Sequence, residues 1–202
     1  MLDSRIPEPL KNVVTQFAQL PGFGAKSAMR VALKLLEWPK EKTVDFGQAI
    51  IDLREKLCLC SRCYGLTQEN PCRLCADPAR SKTSLCLVPE WDSMLILEKG
   101  GFYHGQYFVL GGLFVPLDKD GQKLRIEPLL ARLGEGEITE VIFALGATSD
   151  AEQTTSFVSE CIKAQFPTML LSRLAQGLPL GAEVKYMDTE TLRQSLRYRQ
   201  KL

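Results

Sequence analysis

Histidine is almost absent from this sequence, and the single residue of this type, His104, has no acidic or thiol partner near it in the chain. We therefore assign it no chemical role. The sequence also lacks a charged-then-apolar leader and any apolar run long enough to cross a membrane. These absences favour a cytoplasmic protein.

Net charge is nearly absent as well, at +1, and by itself it selects no partner. The charge is unevenly placed, however, with twelve Lys and Arg against nine Asp and Glu in residues 1–80. Near the C-terminus Arg193, Arg197 and Lys201 recur every four residues along a predicted helix. This stripe is either a solvated helix face or a contact for nucleic acid or an acidic protein, so a nucleic-acid partner is permitted but not required.

Cysteine, in contrast, is plentiful, with seven residues. An odd number without a leader argues against complete internal pairing and for a reducing cytosol. Four of them form two Cys-x-x-Cys pairs separated by eight residues, which is the spacing of a structural four-thiolate zinc site. Two disulfides or four idle thiols are the alternatives. The predicted ligands are Cys60, Cys63, Cys72 and Cys75.

The surroundings of these cysteines predict a loop without helix or strand, because Gly65, Pro71 and Pro78 interrupt the segment. Cys58 precedes the first pair with only one residue between it and Cys60, a spacing unsuited to a chelating turn. We therefore leave Cys58 out of the site. Bound zinc would supply folding energy to a segment too short to bury its own core.

Residues 8–37 predict two amphipathic helices joined by a short turn, LPGFGAKSA, at residues 20–28. Gly22 and Gly24 allow a sharp turn and a close approach of the backbone to another group. The second helix would begin with free N–H groups and its positive dipole end, beside Lys26 and Arg30. The pattern resembles the helix-hairpin-helix DNA-binding motif, which contacts phosphates without reading sequence. An ordinary helical hairpin with a glycine turn is the alternative.

The rest of the chain alternates strands and helices. A further helix over 40–57 has core candidates at Val44, Ile50, Ile51 and Leu53. Beyond Pro78 the pattern predicts a parallel sheet wrapped by helices, with glycines at the ends of its strands. Four strands are expected at 85–88, 107–110, 140–145 and 168–171, with helices near 94–97, 129–133, 151–164 and from 189 onward.

Taken in order, the hairpin motif, the four cysteines and the α/β part resemble the bacterial RecR family of recombination mediators nearly end to end. The resemblance is carried by residues 20–28, the cysteine set, and residues 107–112, 116–118, 138–142 and 177–183. It implies a mixed α/β chain of four parts: a helix-hairpin-helix region at 1–57, a four-cysteine zinc finger at 58–79, a Toprim-like domain at 80–176, and a C-terminal segment with a basic helix at 177–202.

The resemblance also implies a function. It is that of a non-enzymatic, sequence-independent DNA-binding mediator of DNA repair. Such a protein acts as a homodimeric or homotetrameric clamp with RecO and RecF, and it promotes RecA loading onto DNA coated by single-strand-binding protein. The location implied is the bacterial cytoplasm, at the nucleoid during repair. The DNA-contact roles of the family fall on Gly22, Gly24, Lys26 and Arg30, and one structural Zn²⁺ falls on the four cysteines.

Two other functions remain open. A Toprim enzyme would hold Mg²⁺ with a glutamate and an acid-x-acid pair, for which Glu90, Asp150 and Glu152 are the candidates. Pro89 stands where the family usually has that glutamate. The alternative is that the three carboxylates are exposed side chains at the ends of strands and helices and hold no metal. A zinc-knuckle adaptor that binds protein alone is the other function, and it would leave Lys26 and Arg30 unexplained.

Overall fold

The structure, a computed structural model, describes residues 5–114 and 124–199 and divides into two units, Met1–Leu57 and Cys58–Leu202. Residues 116–118, which carry part of the family resemblance, and Lys201 of the basic stripe lie outside the described residues.

Over residues 5–57, the first unit consists of three helices, α1 (Glu8–Ala18), α2 (Ala25–Leu36) and α3 (Lys40–Lys56). Pro7 and Pro39 occupy the positions before α1 and α3, where a fixed φ and a missing N–H suit the start of a helix. The predicted hairpin is therefore present. Its core is small, with Val14, Ala28 and Ala32 buried and Leu10, Phe17 and Met29 partly buried around them.

The prediction that α3 contributes four core residues is wrong for the chain by itself. This helix has no buried residue, and Val44, Ile50, Ile51 and Leu53 are between 49 and 65% exposed. Its Phe46 packs edge-to-face on Trp38, with ring centroids 5.8 Å apart. Helical spacing of apolar residues indicates a face that needs covering, and within the described residues of this chain that face has no cover.

The second unit begins with the cysteine segment, and here the prediction of a loop is only partly correct. Cys58–Leu59 (β1) and Leu66–Thr67 (β2) pair as a short antiparallel ladder, and Arg73–Ala76 (α4) forms one helical turn. The ladder forms because the Cys60 N–H donates to the Gly65 carbonyl and so closes the turn between its strands. The glycine and proline residues of this segment do not prevent a two-residue ladder and a single helical turn from forming.

Four parallel strands follow in the described residues: β3 (Ser84–Val88), β4 (Gln106–Val109), β5 (Glu140–Phe143) and β6 (Leu170–Arg173). Their spatial order is β4-β3-β5-β6. Strands β3 and β4 are fully or almost fully buried, because helices cover both faces of the sheet. A strand that is buried on both faces has a continuous run of apolar residues. The helices of this part are α5 (Trp91–Lys99), α6 (Ile126–Leu133), α7 (Ser149–Gln165) and α8 (Thr189–Arg197), with a 3-10 turn at Val184–Tyr186. The predicted mixed α/β fold is confirmed.

Alternate residues of the strands face two separate cores. Leu85, Leu87 and Phe108 pack with α6 and α7 on one face. Cys86, Val88 and Tyr107 pack on the other face against Met94 of α5. Burial raises the pKa of the Cys86 thiol to about 12, so this cysteine behaves as a small core residue.

The cysteine segment is attached to the outer edge of strand β4. The Val109 N–H donates to the Cys63 carbonyl at 2.8 Å, and the ring of Tyr64 packs on Phe108. Buried Arg132 binds the carbonyls of Arg62 and Tyr107 from the same side. Backbone groups at this edge of the sheet are thereby hydrogen-bonded to the cysteine segment and to Arg132 of α6.

A second buried arginine fixes the chain that follows the cysteines. The side chain of Arg80 is only 7% exposed. Its guanidinium donates to both carboxylate oxygens of Glu98, at 2.9 and 3.0 Å. It also donates to the carbonyls of Gly105 and Tyr103. Four satisfied bonds offset the cost of removing this charge from water, so the residue ties three segments of the second unit together.

Candidate nucleic-acid interface and metal centre

The turn between α1 and α2 presents backbone to the outside. Gly22 adopts a φ of +80°, a left-handed conformation that favours glycine. The Leu20 carbonyl accepts from the Phe23 N–H and closes the turn. Helix α2 then begins at Ala25, and no side chain in the described part of the protein caps its first N–H groups. A helix start of this kind attracts anions through its free donors and its dipole.

Gly24 is the residue before that helix, and neither its conformation nor its packing requires glycine. Its φ of −90° and ψ of 167° suit any residue. A Cβ added there would meet no described atom within 4 Å. The space beside this backbone is therefore free for a group from outside the chain.

Lys26 and Arg30 lie one helical turn apart on α2, and both are exposed. Among the described residues neither side chain has an ion-pair or hydrogen-bond partner, whereas Lys34 on the next turn binds Glu37 at 2.6 Å. The structure places Gly22, Gly24, Lys26 and Arg30 at one end of the hairpin. Two uncompensated cations beside free backbone donors can bind a phosphate.

The predicted metal ligands also come together. Their four sulfur atoms all lie within 4.8 Å of one another, and Sγ of Cys63 and Sγ of Cys72 are 3.6 Å apart. A tetrahedral zinc ion with Zn–S bonds of about 2.3 Å needs neighbouring sulfurs about 3.8 Å apart, so the set fits this ion. Cys60, Cys63 and Cys72 are buried and Cys75 is partly exposed.

Backbone N–H groups surround these sulfurs. Arg62 and Cys72 donate to Sγ of Cys60 at 3.4 and 3.3 Å, and Gly65 donates to Sγ of Cys63 at 3.4 Å. The hydrogen bond between Cys63 and Cys72 lowers the pKa of the Cys72 thiol and raises that of Cys63. A thiolate is the form that binds a metal, and N–H donors to sulfur support it.

Cys58 lies outside this group. Its thiol is exposed and donates to the Thr67 carbonyl across the β1–β2 ladder, at 3.4 Å. Within residues 5–114 and 124–199, the four cysteines are the one group of three or more Cys, His, Asp or Glu side chains that could hold a metal ion.

The three candidate Toprim carboxylates therefore do not form such a group. Glu90 is exposed at the position before α5, and Asp150 and Glu152 lie in the first turn of α7. Both oxygens of Glu152 accept from Arg173 at 2.9 Å, and Gln176 donates to the same carboxylate at 2.9 Å. Arg173 in turn donates to the Tyr198 hydroxyl at 3.0 Å. A guanidinium thus compensates this carboxylate at the carboxyl edge of the sheet.

Four protein-family models match consecutive parts of the chain. They are described as RecR, helix-hairpin-helix (residues 10–54), the RecR zinc finger domain with four cysteines (57–77), Toprim domain (84–175), and RecR, C-terminal (177–200). A curated protein of Maridesulfovibrio salexigens named Recombination protein RecR is 55% identical over 198 residues, which are 98% of each chain.

The chain belongs to the RecR family.

Other members of the RecR family give the same picture. The protein of Nitratidesulfovibrio vulgaris is 54% identical over 98% of this chain and 99% of its own length, and that of Moorella thermoacetica is 39% identical over 97% and 98%. Both carry the name Recombination protein RecR. The predicted family and the single structural zinc ion are confirmed, because the family's zinc finger model falls on the four converging sulfurs.

The basic stripe of the RecR C-terminal segment is less free than its spacing suggested. Two nitrogens of Arg193 bind the carboxylate of Glu190 at 2.8 and 2.9 Å, and Arg197 lies 5.6 Å from the ring centroid of Tyr198.

No described helix is long and apolar enough to cross a membrane.

Sequence reasoning missed the arginines that organise the RecR second unit. Arg80 and Arg132 are buried, and Arg173 binds an acid 21 residues earlier in the chain. No local spacing marks such residues, because arginine is mostly exposed and its partner lies in another element. Their signal is in the fold alone.

Proposed function

We propose that this member of the RecR family is a non-enzymatic DNA-binding mediator of recombination and repair. It would act as an oligomeric clamp with RecO and RecF and promote RecA loading onto DNA coated by single-strand-binding protein. One observation carries the DNA-binding part of the proposal: an uncapped helix start and two unpaired cations lie at the tip of the α1–α2 hairpin, among the described residues.

The contact is with the phosphate backbone. The N–H groups at the start of α2 would donate to phosphate oxygens, and the positive helix end would favour the charge. Lys26 and Arg30 would add charge-assisted bonds from the following turn. None of these groups reads a base edge, so binding is independent of sequence. Gly24 would let the phosphate reach the backbone.

A catalytic role has less support than a binding role. Mg²⁺ binds carboxylate oxygens that are free to coordinate it. Both oxygens of Glu152 are already bound by Arg173, and Gln176 adds a further donor. The positive charge that a metal would bring to this carboxylate is supplied by the protein itself.

Self-association is supported by helix α3. Its apolar residues Val44, Ile50, Ile51 and Leu53 are about half or more exposed, and a patch of this kind commonly marks an interface. A homodimer or homotetramer would repeat the hairpin tip around one DNA molecule. Simultaneous contacts then raise the affinity without new chemistry.

The test is DNA binding by fluorescence anisotropy over a salt series, for wild type and for the double variant Lys26→Ala/Arg30→Ala. Each neutralised phosphate contributes about 0.9 to the log–log salt slope on duplex DNA and about 0.7 on single strands. Loss of two contacts should therefore make the slope shallower by roughly 1.8 on duplex or roughly 1.4 on single strands.

The charge-matched control is Lys99→Ala/Lys163→Ala, which removes two exposed lysines from the second unit. It should leave the slope close to that of wild type. An equal change in both double variants would show that binding depends on overall charge and not on the hairpin. If wild type binds no DNA at low salt, the adaptor function takes precedence.

A further inference from the structure

A groove of about 570 Å³ runs beside helix α2 from the hairpin tip toward the end of the helix. Its lining combines one aromatic ring, Phe23, with two cations, Arg30 and Lys34, and one acid, Glu37. Apolar surface makes up most of the rest. An aromatic ring and cations in one groove are the two components of sites for single-stranded nucleic acid.

Phe23 stands between the two glycines of the turn, and it is 38% exposed. Phe17 of α1 supports it, with ring centroids 6.3 Å apart and an angle of 28° between the ring planes. The ring of Phe23 thus packs on Phe17 while more than a third of the residue remains accessible. An accessible and supported ring offers a flat surface to another flat group at little cost in side-chain entropy.

The two cations follow the ring along the chain and line the same groove. Arg30 and Lys34 are four residues apart, which is about 6 Å of helix rise and comparable to the step between phosphates of an extended strand. Arg30 has no ion-pair partner among the described residues. The Lys34–Glu37 pair is 67% and 64% exposed, and a pair so exposed is weak enough for a phosphate to displace the acid.

We propose that this groove binds a segment of single-stranded nucleic acid, with one unpaired base stacked on Phe23 and neighbouring phosphates on Arg30 and Lys34. A duplex hides its base faces in its own stack and can use only the cations. The groove therefore gives the hairpin a preference for single strands. This inference rests on the proposed function, because it assigns a substrate class to the same hairpin.

The experiment compares Phe23→Leu with wild type on an oligothymidylate and on a duplex of the same length, by anisotropy at one salt concentration. Leucine keeps the apolar contact with Phe17 but has no ring face. Stacking of one base contributes about 1–3 kcal/mol, so single-strand affinity should fall about tenfold while duplex affinity stays within about twofold. Phe23→Tyr should restore single-strand affinity.

The matched control is Phe102→Leu, which removes a phenylalanine 71% exposed in the second unit and should change neither affinity. Equal losses on strand and duplex, or no loss on either, would overturn the proposal. A molar mass of Phe23→Leu that differs from that of wild type in light scattering would also overturn the proposal. Such a difference would mean that a second copy of the chain covers the groove in wild type.

The outcomes also separate this inference from the proposed function. If Lys26→Ala/Arg30→Ala weakens binding and Phe23→Leu does not, only the stacking proposal fails. If wild type binds neither probe, both fail.

Discussion

Replacing Gly24 by serine tests whether the backbone at the hairpin tip contacts phosphate. The residue has an extended conformation that serine adopts without strain, and its added Cβ meets no described atom within 4 Å. Serine is also among the best residues at the position before a helix, where its hydroxyl accepts from the first N–H groups. The free energy of unfolding should therefore stay the same or rise by a few tenths of a kcal/mol.

DNA affinity should nevertheless fall. The new hydroxyl takes the N–H groups that a phosphate would use, and the new Cβ fills the space through which it would approach. A hydrogen bond to a charged group contributes about 1.5–3 kcal/mol, which corresponds to a loss of roughly 10- to 150-fold. Anisotropy titrations on one oligonucleotide would measure the affinity, and thermal unfolding would measure stability on the same samples.

The same substitution at Gly47 provides the control. This glycine lies in α3, and a Cβ added there also meets no described atom within 4 Å. Gly47→Ser should raise helix stability slightly and leave DNA affinity unchanged. Undiminished affinity of Gly24→Ser in a folded sample would refute the backbone contact, and the DNA-binding assignment would then rest on the side chains of Lys26 and Arg30 alone.

Two further predictions concern the second unit. Cys72→Ser should lose zinc and thermal stability together, because a structural zinc ion contributes its binding energy to folding; metal analysis showing unchanged zinc content would contradict the ligand assignment. Arg80→Ala should lower the free energy of unfolding by about 2–4 kcal/mol in urea titrations, since it leaves Glu98 and two carbonyls without their buried partner. The exposed Lys82–Glu137 pair is the control, and Lys82→Ala should cost less than about 1 kcal/mol; equal losses from both variants would show that burial does not strengthen the Arg80 contacts.

The strands of the second unit could be predicted because their signal is local. A buried parallel strand is a continuous apolar run, and the runs ending at Val88 and Leu110 needed no other information. The metal centre was predictable for the same reason, since two Cys-x-x-Cys turns fix the ligand spacing within each pair. The hairpin tip could be predicted from its glycines and the basic residues that follow them.

The rest depended on contacts between distant elements. The apolar spacing of α3 indicated a buried face, yet Ile51 and its neighbours are exposed because nothing in the described chain packs on them. The pairing of Glu152 with Arg173 joins the start of α7 to the end of β6, and no sequence spacing announces it. Sequence showed three acids that could hold a metal, whereas the fold shows that one of them is already neutralised.

The attachment of the cysteine segment to strand β4 determines at which edge this sheet can pair with a further strand. An exposed strand edge invites another strand to pair with it. Along β4 the Val109 N–H and the Tyr107 carbonyl are already bound, by Cys63 and by Arg132. At the other side, β5 is the one described strand that pairs with β6, and Leu170 at the start of β6 is exposed. In the described part of the chain the sheet therefore has one closed edge and one edge able to accept a further strand.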